Sequence, residues 1–543
     1  MNDKFLCICL FISILINPAA ADNYPRNPKI DITHYVFRLA LNDINNQITG
    51  KADVTIRFLS NDLSDFALDL DSRSDSEWDK GMQVRSVIRG NYQVSFNHEN
   101  DRLIIIPEQP IKEGLVRTYR ISYEGIPEDG LNIFDNKHRD RTFFGDNWPD
   151  RAHFWLPTVD HPSDKATCEF IITAPSDYQV VATGGLYEET DLGNGLRRTH
   201  WRSIAPIATK VMTIGVARFA VQHLDETAGV SIQNWIYPQD REAGFYDYAL
   251  SKKILKFYSE KIGPYAFAKL ANIQSTTHWG GLESAGAILY HENSVTGTRN
   301  CEGLLAHEIA HQWFGDAVTE KDWFHIWLSE GFATYLTHVY FEHAYSRKRL
   351  IQRMKKDRRR VIDFFKRRPH SIILDTTITN LSDILSTNTY QKAGWFLHML
   401  RRKLGEDHFW KGLRSFYKQY KNSNVLTADF KKVMEEVSGM DLSLFFQQWL
   451  IQPGQPQLRG SWTYEESENQ LKVRLTKSCP PHTAYIFPLD IGIYRNDKKE
   501  PEIATVLMDS AKKTTSMDVS VLPDSLVLDP HVWLLFENTF SKK

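Results

Sequence analysis

Cysteine is scarce in this chain, with five in 543 residues. Cys7 and Cys9 sit in an apolar run at the start, and Cys168, Cys301 and Cys479 are widely spaced and odd in number. This excludes a disulfide framework and a C-x-x-C zinc or redox motif, and it leaves buried free thiols as the expectation. Neither sign of charge is in excess. Lys and Arg number 65 against 67 Asp and Glu, a formal net charge of −2. A general nucleic-acid binder is thereby disfavoured, because nothing in the balance would neutralise phosphates. There is no internal repeat and no low-complexity segment. Beyond the first residues no apolar run approaches the length of a membrane-spanning helix.

The start of the chain is the exception. Lys4 precedes twelve apolar-rich residues, FLCICLFISILI (Phe5 to Ile16), and then NPAAAD. A basic residue, an apolar core too short for a bilayer and a small-residue site describe a secretory signal peptide over residues 1–21, with cleavage expected after Ala21. The expectation is an exported protein, periplasmic or secreted, with no membrane span after cleavage.

Apolar residues at 42% and charged residues at 24% are ordinary for a globular protein. At about 150 residues per domain the length implies three to four domains. From Asp31 to Phe219 the chain is β-rich. YVFRLALND and KADVTIRFL alternate apolar and polar residues, and TCEFIITAP and MTIGVARFAV read as further strands. AGFYDYALSKKILKFYSEKIG (Ala243 to Gly263) then takes up helical spacing, which dominates to Leu450. PGQP (Pro453 to Pro456) marks a break, after which LKVRLTKS, AYIFPLDIGIY and SLVLDPHVWLLF are strand-like. The expected fold is multidomain α+β. It has an N-terminal β domain (22–228), a mostly helical domain (229–452) and a small C-terminal β-sandwich (453–543). One segment, RKRLIQRMKKDRRRVIDFFKRR (Arg347 to Arg368), is dense in positive charge. A nucleic-acid or anionic-surface patch is one reading of it; the favoured one is a solvated helix face with Leu350, Ile351, Met354, Val361, Ile362 and Phe365 turned inward, because the run is internal and acidic residues elsewhere balance it.

The chemistry concentrates in LAHEIAHQWFGDAVTEKDWFHIWLSEGFATYL, which starts at Leu305. Residues four apart share a helix face, so His307 and His311 can present two imidazoles to one ion. Glu308 follows the first and projects toward the place of a water, where it can serve as general base. The next helical stretch supplies Glu330 as third ligand, and the residues between allow the chain to turn and return antiparallel. Two histidines and one carboxylate leave a fourth position open, which is the catalytic zinc arrangement. The bland reading is an amphipathic helix with surface histidines. Against it stand the apolar neighbours Leu304, Leu305, Ile309, Trp313 and Phe314, which mark a largely buried helix where two histidines need partners.

HEIAHQWFGD followed by WLSEGFATY resembles the M1 family of zinc aminopeptidases, which are gluzincins. GGLES (Gly280 to Ser284) resembles that family's G-x-M-E-N motif, and YQKAGWFLHML from Tyr390 resembles the segment with its catalytic tyrosine. The resemblance runs from the N-terminal strands through the sandwich. It implies a thermolysin-like catalytic domain, one Zn2+ per chain and removal of single residues from peptides with a free N-terminus. It also implies that Glu283 binds the substrate's α-amino group and that Tyr390 hydrogen-bonds the oxyanion. Gly280 and Gly281 would let a substrate backbone approach the strand edge. FFGDNWPDRAHFWLPTVDHP resembles the segment with a second amine-binding residue, placing Asp146 at that position. The chain departs from the family pattern at Leu282 for methionine, Ser284 for asparagine and Ser329 for asparagine. Many family members continue into a large helical domain after the sandwich; its absence here implies a more open site. The rival readings are a thermolysin-like endopeptidase and a non-catalytic peptide-binding protein.

Overall fold

The computed structural model describes residues 24–73, 80–480, 483–496 and 498–543. The expected signal peptide, with Cys7 and Cys9, lies outside them. The α+β arrangement is as expected. The first strand, Ile30–Ala40, alternates buried and half-buried positions along nearly its whole length. It pairs antiparallel with Ile48–Phe58 and parallel with Ala166–Pro175 at the centre of an eight-stranded sheet. A four-stranded and a three-stranded sheet complete this region. Their apolar faces meet in one core around Phe37, Tyr119, Tyr123, Trp155 and Phe170.

The middle of the chain is less purely helical than its periodicity suggests. Ala220–Thr227, Val230–Ile236, Lys269–Ser275, Ala287–His291 and the two-residue Gly281–Leu282 form a mixed five-stranded sheet. Gly281–Leu282 lies at its edge, antiparallel to Ala287–His291. Lys269–Ser275 is buried at every position, so it carries no alternation to betray a strand. The helix expected over Ala243 to Gly263 is two helices, Arg241–Tyr248 and Ser251–Lys261. Glu302–His311 and Trp327–Ala344 pack against each other, and Ala393–Leu404 packs on the second of them.

After Pro456 the chain forms two facing sheets, of four and three strands. The last apolar run is only partly a strand. Ser525–Leu528 pairs, and then positive φ at Asp529 and Val532 turns the chain away. Among the described residues Cys168, Cys301 and Cys479 are unpaired, the first two buried. Among the described residues no helix is long and apolar enough to cross a membrane.

Candidate metal and peptide site

Helix Glu302–His311 buries Leu305, Ala306, Ile309 and Ala310 against the core, which fixes its rotation and turns His307 and His311 toward Glu330. The chain then reverses. Gly315 has φ +129°, and a Cβ there would lie 2.5 Å from Ser329 Oγ and 3.0 Å from His311 Nδ1. The turn thus requires glycine both for its backbone conformation and for the close approach. The return helix, Trp327–Ala344, is buried over most of its length and carries Glu330 in its first turn.

His307 Nε2 and His311 Nε2 are 3.2 Å apart, and Glu330 Oε2 lies 3.2 Å from the first and 3.3 Å from the second. A regular tetrahedron with edges of that length has its centre about 2.0 Å from each vertex, the Zn–N and Zn–O bond length. The donor set therefore fits zinc, with one position left for a ligand from outside the protein. His311 Nδ1 lies 3.0 Å from Ser329 Oγ and 3.3 Å from the Phe314 carbonyl oxygen. Those contacts hold the ring so that Nε2 faces His307 Nε2 and Glu330 Oε2, where it would serve as a metal ligand. Ser329 thus occupies the place of the family's asparagine with a hydroxyl in contact with the ligand. Ser329→Ala should weaken zinc binding about tenfold, measured by competition against a chelating dye. Unchanged affinity would assign the orientation to Phe314 alone.

The charges around this group are strongly coupled. Burial opposes ionisation of Glu330, yet His311 and His307 hold its carboxyl well below the usual range. Burial likewise favours a neutral His311, but Glu330 and Glu283 overcome it and push the imidazole up to about 10. Burial, with Glu283 and Glu330 adding and His311 opposing, raises Glu308 well above an ordinary carboxyl.

Glu308 is buried, and its carboxyl group rests against the edge strand. A Cβ at Gly281 would come within 2.5 Å of Glu308 Cδ, whereas one at Gly280 would meet only Leu304 Cδ1 at 3.8 Å. Gly281 is therefore the notch that accommodates Glu308, while Gly280 has room to spare. Glu283 follows on the same segment. It is 5% exposed, and its Oε1 has no hydrogen-bond partner among the described residues. Gln312 Nε2 donates to the Glu283 carbonyl at 2.9 Å and to Asp316 Oδ2 at 2.7 Å, and Gln312 Oε1 accepts from Gly286 N at 2.8 Å. The residue after the second histidine thus ties the Glu283 turn to the metal helix. Behind Glu283 lies a buried ion pair of Lys210 and Glu320, with Lys210 Nζ 5.5 Å from the centre of the Trp323 ring. Sequence reasoning missed Gln312, Lys210 and Glu320. The departures at Leu282 and Ser284 are both buried, and Ser284 Oγ has no partner among the described residues.

Tyr390 sits in a π-helical turn, Asn388–Lys392, that leads into Ala393–Leu404. Such turns widen a helix locally and recur at functional sites. Asn388 Nδ2 anchors this one on Ser371 Oγ at 2.6 Å and the Ile372 carbonyl at 3.0 Å. The tyrosine ring lies nearly parallel to that of His307, their centres 6.0 Å apart. Burial and the Glu330 carboxylate raise the phenol well above its ordinary value, keeping it a donor.

Asp146 is placed differently from the other site candidates. It is fully buried, ion-paired with Arg151, and accepts from Thr277 Oγ1 at 2.8 Å and Asn132 Nδ2 at 3.4 Å. Both carboxylate oxygens are engaged. These contacts make Asp146 a fixed part of the wall beside Thr277.

With fold and donor set in view, the site is a candidate catalytic metal centre. Residues 246–449 match the Peptidase family M1 domain and residues 32–211 the Peptidase M1 N-terminal domain. The chain belongs to peptidase family M1. It is similar to glutamyl aminopeptidase of Homo sapiens, 25% identical over 352 residues, which are 62% of this chain and 37% of that protein. It is also 25% identical to probable aminopeptidase 2 of Sulfurisphaera tokodaii over 318 residues, 56% of this chain and 40% of that protein. The chain thus spans about two fifths of the length of these curated relatives. Among solved structures it resembles Legionella pneumophila aminopeptidase A in complex with aspartic acid. That likeness has a TM-score of 0.80 at 16% identity and covers 95% of this chain and 60% of that one. A mutant M1 zinc metallopeptidase from Deinococcus radiodurans gives a TM-score of 0.64 at 22% identity, covering 78% of this chain and 94% of that one. These structural likenesses concern the fold.

Proposed function

We propose that this chain is a zinc-dependent aminopeptidase that removes single residues from the free N-terminus of peptides. One observation carries the reading: Glu283 Oε1 is a buried carboxylate oxygen without a partner, on the same edge segment that houses Glu308. A buried, unsatisfied carboxylate beside a peptidase centre is matched by a substrate ammonium. Zinc held by His307, His311 and Glu330 supplies Lewis acidity, polarising the scissile carbonyl and lowering the pKa of water. Glu308 takes the proton of the attacking water and delivers it to the leaving amine. The Tyr390 hydroxyl donates a hydrogen bond to the developing oxyanion. Glu283 fixes the free N-terminus.

Residues 22–228, 229–452 and 453–543 serve in this reading as the N-terminal, catalytic and sandwich domains. The run from Lys4 to Ile16 and the small residues after it support export to a periplasm or beyond.

The test uses one peptide with its N-terminus free and then acetylated, with products identified by mass. The expected result is stepwise shortening of the free peptide alone, abolished by a zinc chelator and restored by zinc. Internal cleavage of the acetylated peptide would make this an endopeptidase and remove Glu283 from its role. Peptide binding without cleavage in the zinc-loaded protein would support the non-catalytic reading.

A further inference from the structure

Helix Arg347–Arg367 carries eleven lysines and arginines against two aspartates, in a chain of formal net charge −2. Its packing uses little of that charge. Leu350, Met354, Asp357 and Val361 are buried and fall on one side of the helix. On the opposite side Lys348, Lys355, Arg359 and Lys366 lie within about 20° of one line, and Arg349, Lys356, Arg360 and Arg367 form a second row beside it. Both rows are exposed. From Lys348 to Arg367 they extend about 28 Å at 1.5 Å per residue.

The charges are mostly uncompensated. Among the described residues, Arg347 pairs with Glu342, Arg358 with Asp529, Arg360 with Asp357 at 3.7 Å and Lys366 with Asp363 at 3.3 Å. Lys348, Arg349, Lys355, Lys356, Arg359 and Arg367 form no such ion pair. Like charges four residues apart, as at Lys355 and Arg359 or Lys356 and Arg360, weaken a helix. Beyond the pairs of Arg360 and Lys366 the fold gains little from this face and loses stability to its like charges, which points to a partner.

The face also restricts the partner's chemistry. It displays no aromatic side chain for stacking bases and no exposed apolar residue for insertion into a membrane. Its two straight rows lie on an outward-facing helix. Such a surface adsorbs by charge alone to a broad anionic plane. We propose that the exposed face of Arg347–Arg367 docks the protein on anionic phospholipid headgroups. The opposite side of the helix packs on Trp327–Ala344, where His338 Nε2 lies 2.6 Å from Asp357 Oδ2. The docking face thus points away from that helix and from Glu330 on it, and leaves the peptidase site free.

The test is sedimentation of the full chain with phosphatidylcholine vesicles, with and without phosphatidylglycerol, at low and high salt. Binding is expected only with phosphatidylglycerol and is lost at high salt. Lys355→Glu/Arg359→Glu should lower vesicle affinity at least about thirtyfold without changing peptidase activity or circular dichroism. Lys411→Glu/Lys418→Glu, the same charge change on exposed positions of Glu406–Tyr420, should leave binding within twofold of wild type. Absence of wild-type binding at low salt would overturn the proposal. So would equal losses in the two variants, or retention of duplex DNA in place of vesicles.

Discussion

Glu308→Gln should retain zinc and lose about 10²–10⁴-fold in kcat, the contribution of a positioned general acid and base. The substitution preserves side-chain size, so the notch at Gly281 stays filled and the edge strand keeps its place. The donor atoms of His307, His311 and Glu330 are not touched, and their mutual spacing of 3.2–3.3 Å is set by the packing of two helices. What changes is the capacity to accept a proton from water and return it to the leaving amine. Metal content by elemental analysis and kcat on a free peptide separate the two effects. A variant that holds zinc and keeps a tenth or more of its activity would move the proton-transfer role elsewhere. One that loses zinc as well would show Glu308 to be part of the metal site's support.

The parts of this site that the sequence displays are those whose geometry is local. His307, Glu308 and His311 lie on one helix, so their spacing and facing follow from 3.6 residues per turn. Glu330 comes from the next α-helix, and a reversal at Gly315, the short strand Val318–Glu320 and the 3-10 turn Trp323–His325 separate the two. The supports behave otherwise. Gln312 is adjacent to a ligand, but its contacts reach back to Glu283, Gly286 and Tyr265, which chain proximity does not reveal. The buried pair of Lys210 and Glu320 joins positions far apart in the chain, and each residue alone reads as an ordinary surface charge.

The same contrast holds for the fold. Ile30–Ala40 covers one core face and alternates, so it is readable as a strand. Lys269–Ser275 is covered on both faces and has no period to read. The basic helix was legible because its buried stripe of Leu350, Met354 and Val361 repeats at helical spacing. Asp146 shows what position-matching leaves unseen. The residue falls at the matching place, but Arg151, Thr277 and Asn132 occupy its carboxylate.

Gly281→Ala should leave the protein folded and lower kcat/KM about a hundredfold, the scale of a misplacement of roughly 1 Å. Gly281 has no positive φ, so its backbone admits alanine, and the loss of glycine flexibility adds about 0.4–1 kcal/mol to stability where nothing clashes. The added methyl would meet Glu308 Cδ and Oε1 at 2.5 Å. Those atoms end a flexible side chain, so the collision is relieved by moving the carboxyl group at little structural cost. Relief displaces the group that handles the proton, and the effect should therefore appear in turnover and not in the melting temperature. Gly280→Ala is the matched control, since its methyl would make only an ordinary 3.8 Å contact with Leu304 Cδ1. If the two variants lose activity equally, the glycines serve the approach of the substrate backbone. If Gly281→Ala alone is impaired, with an unchanged melting temperature, the segment's first task is to seat Glu308, and the spacing between Gly281 and Glu283 sets the amine-binding carboxylate beside the proton-transfer group.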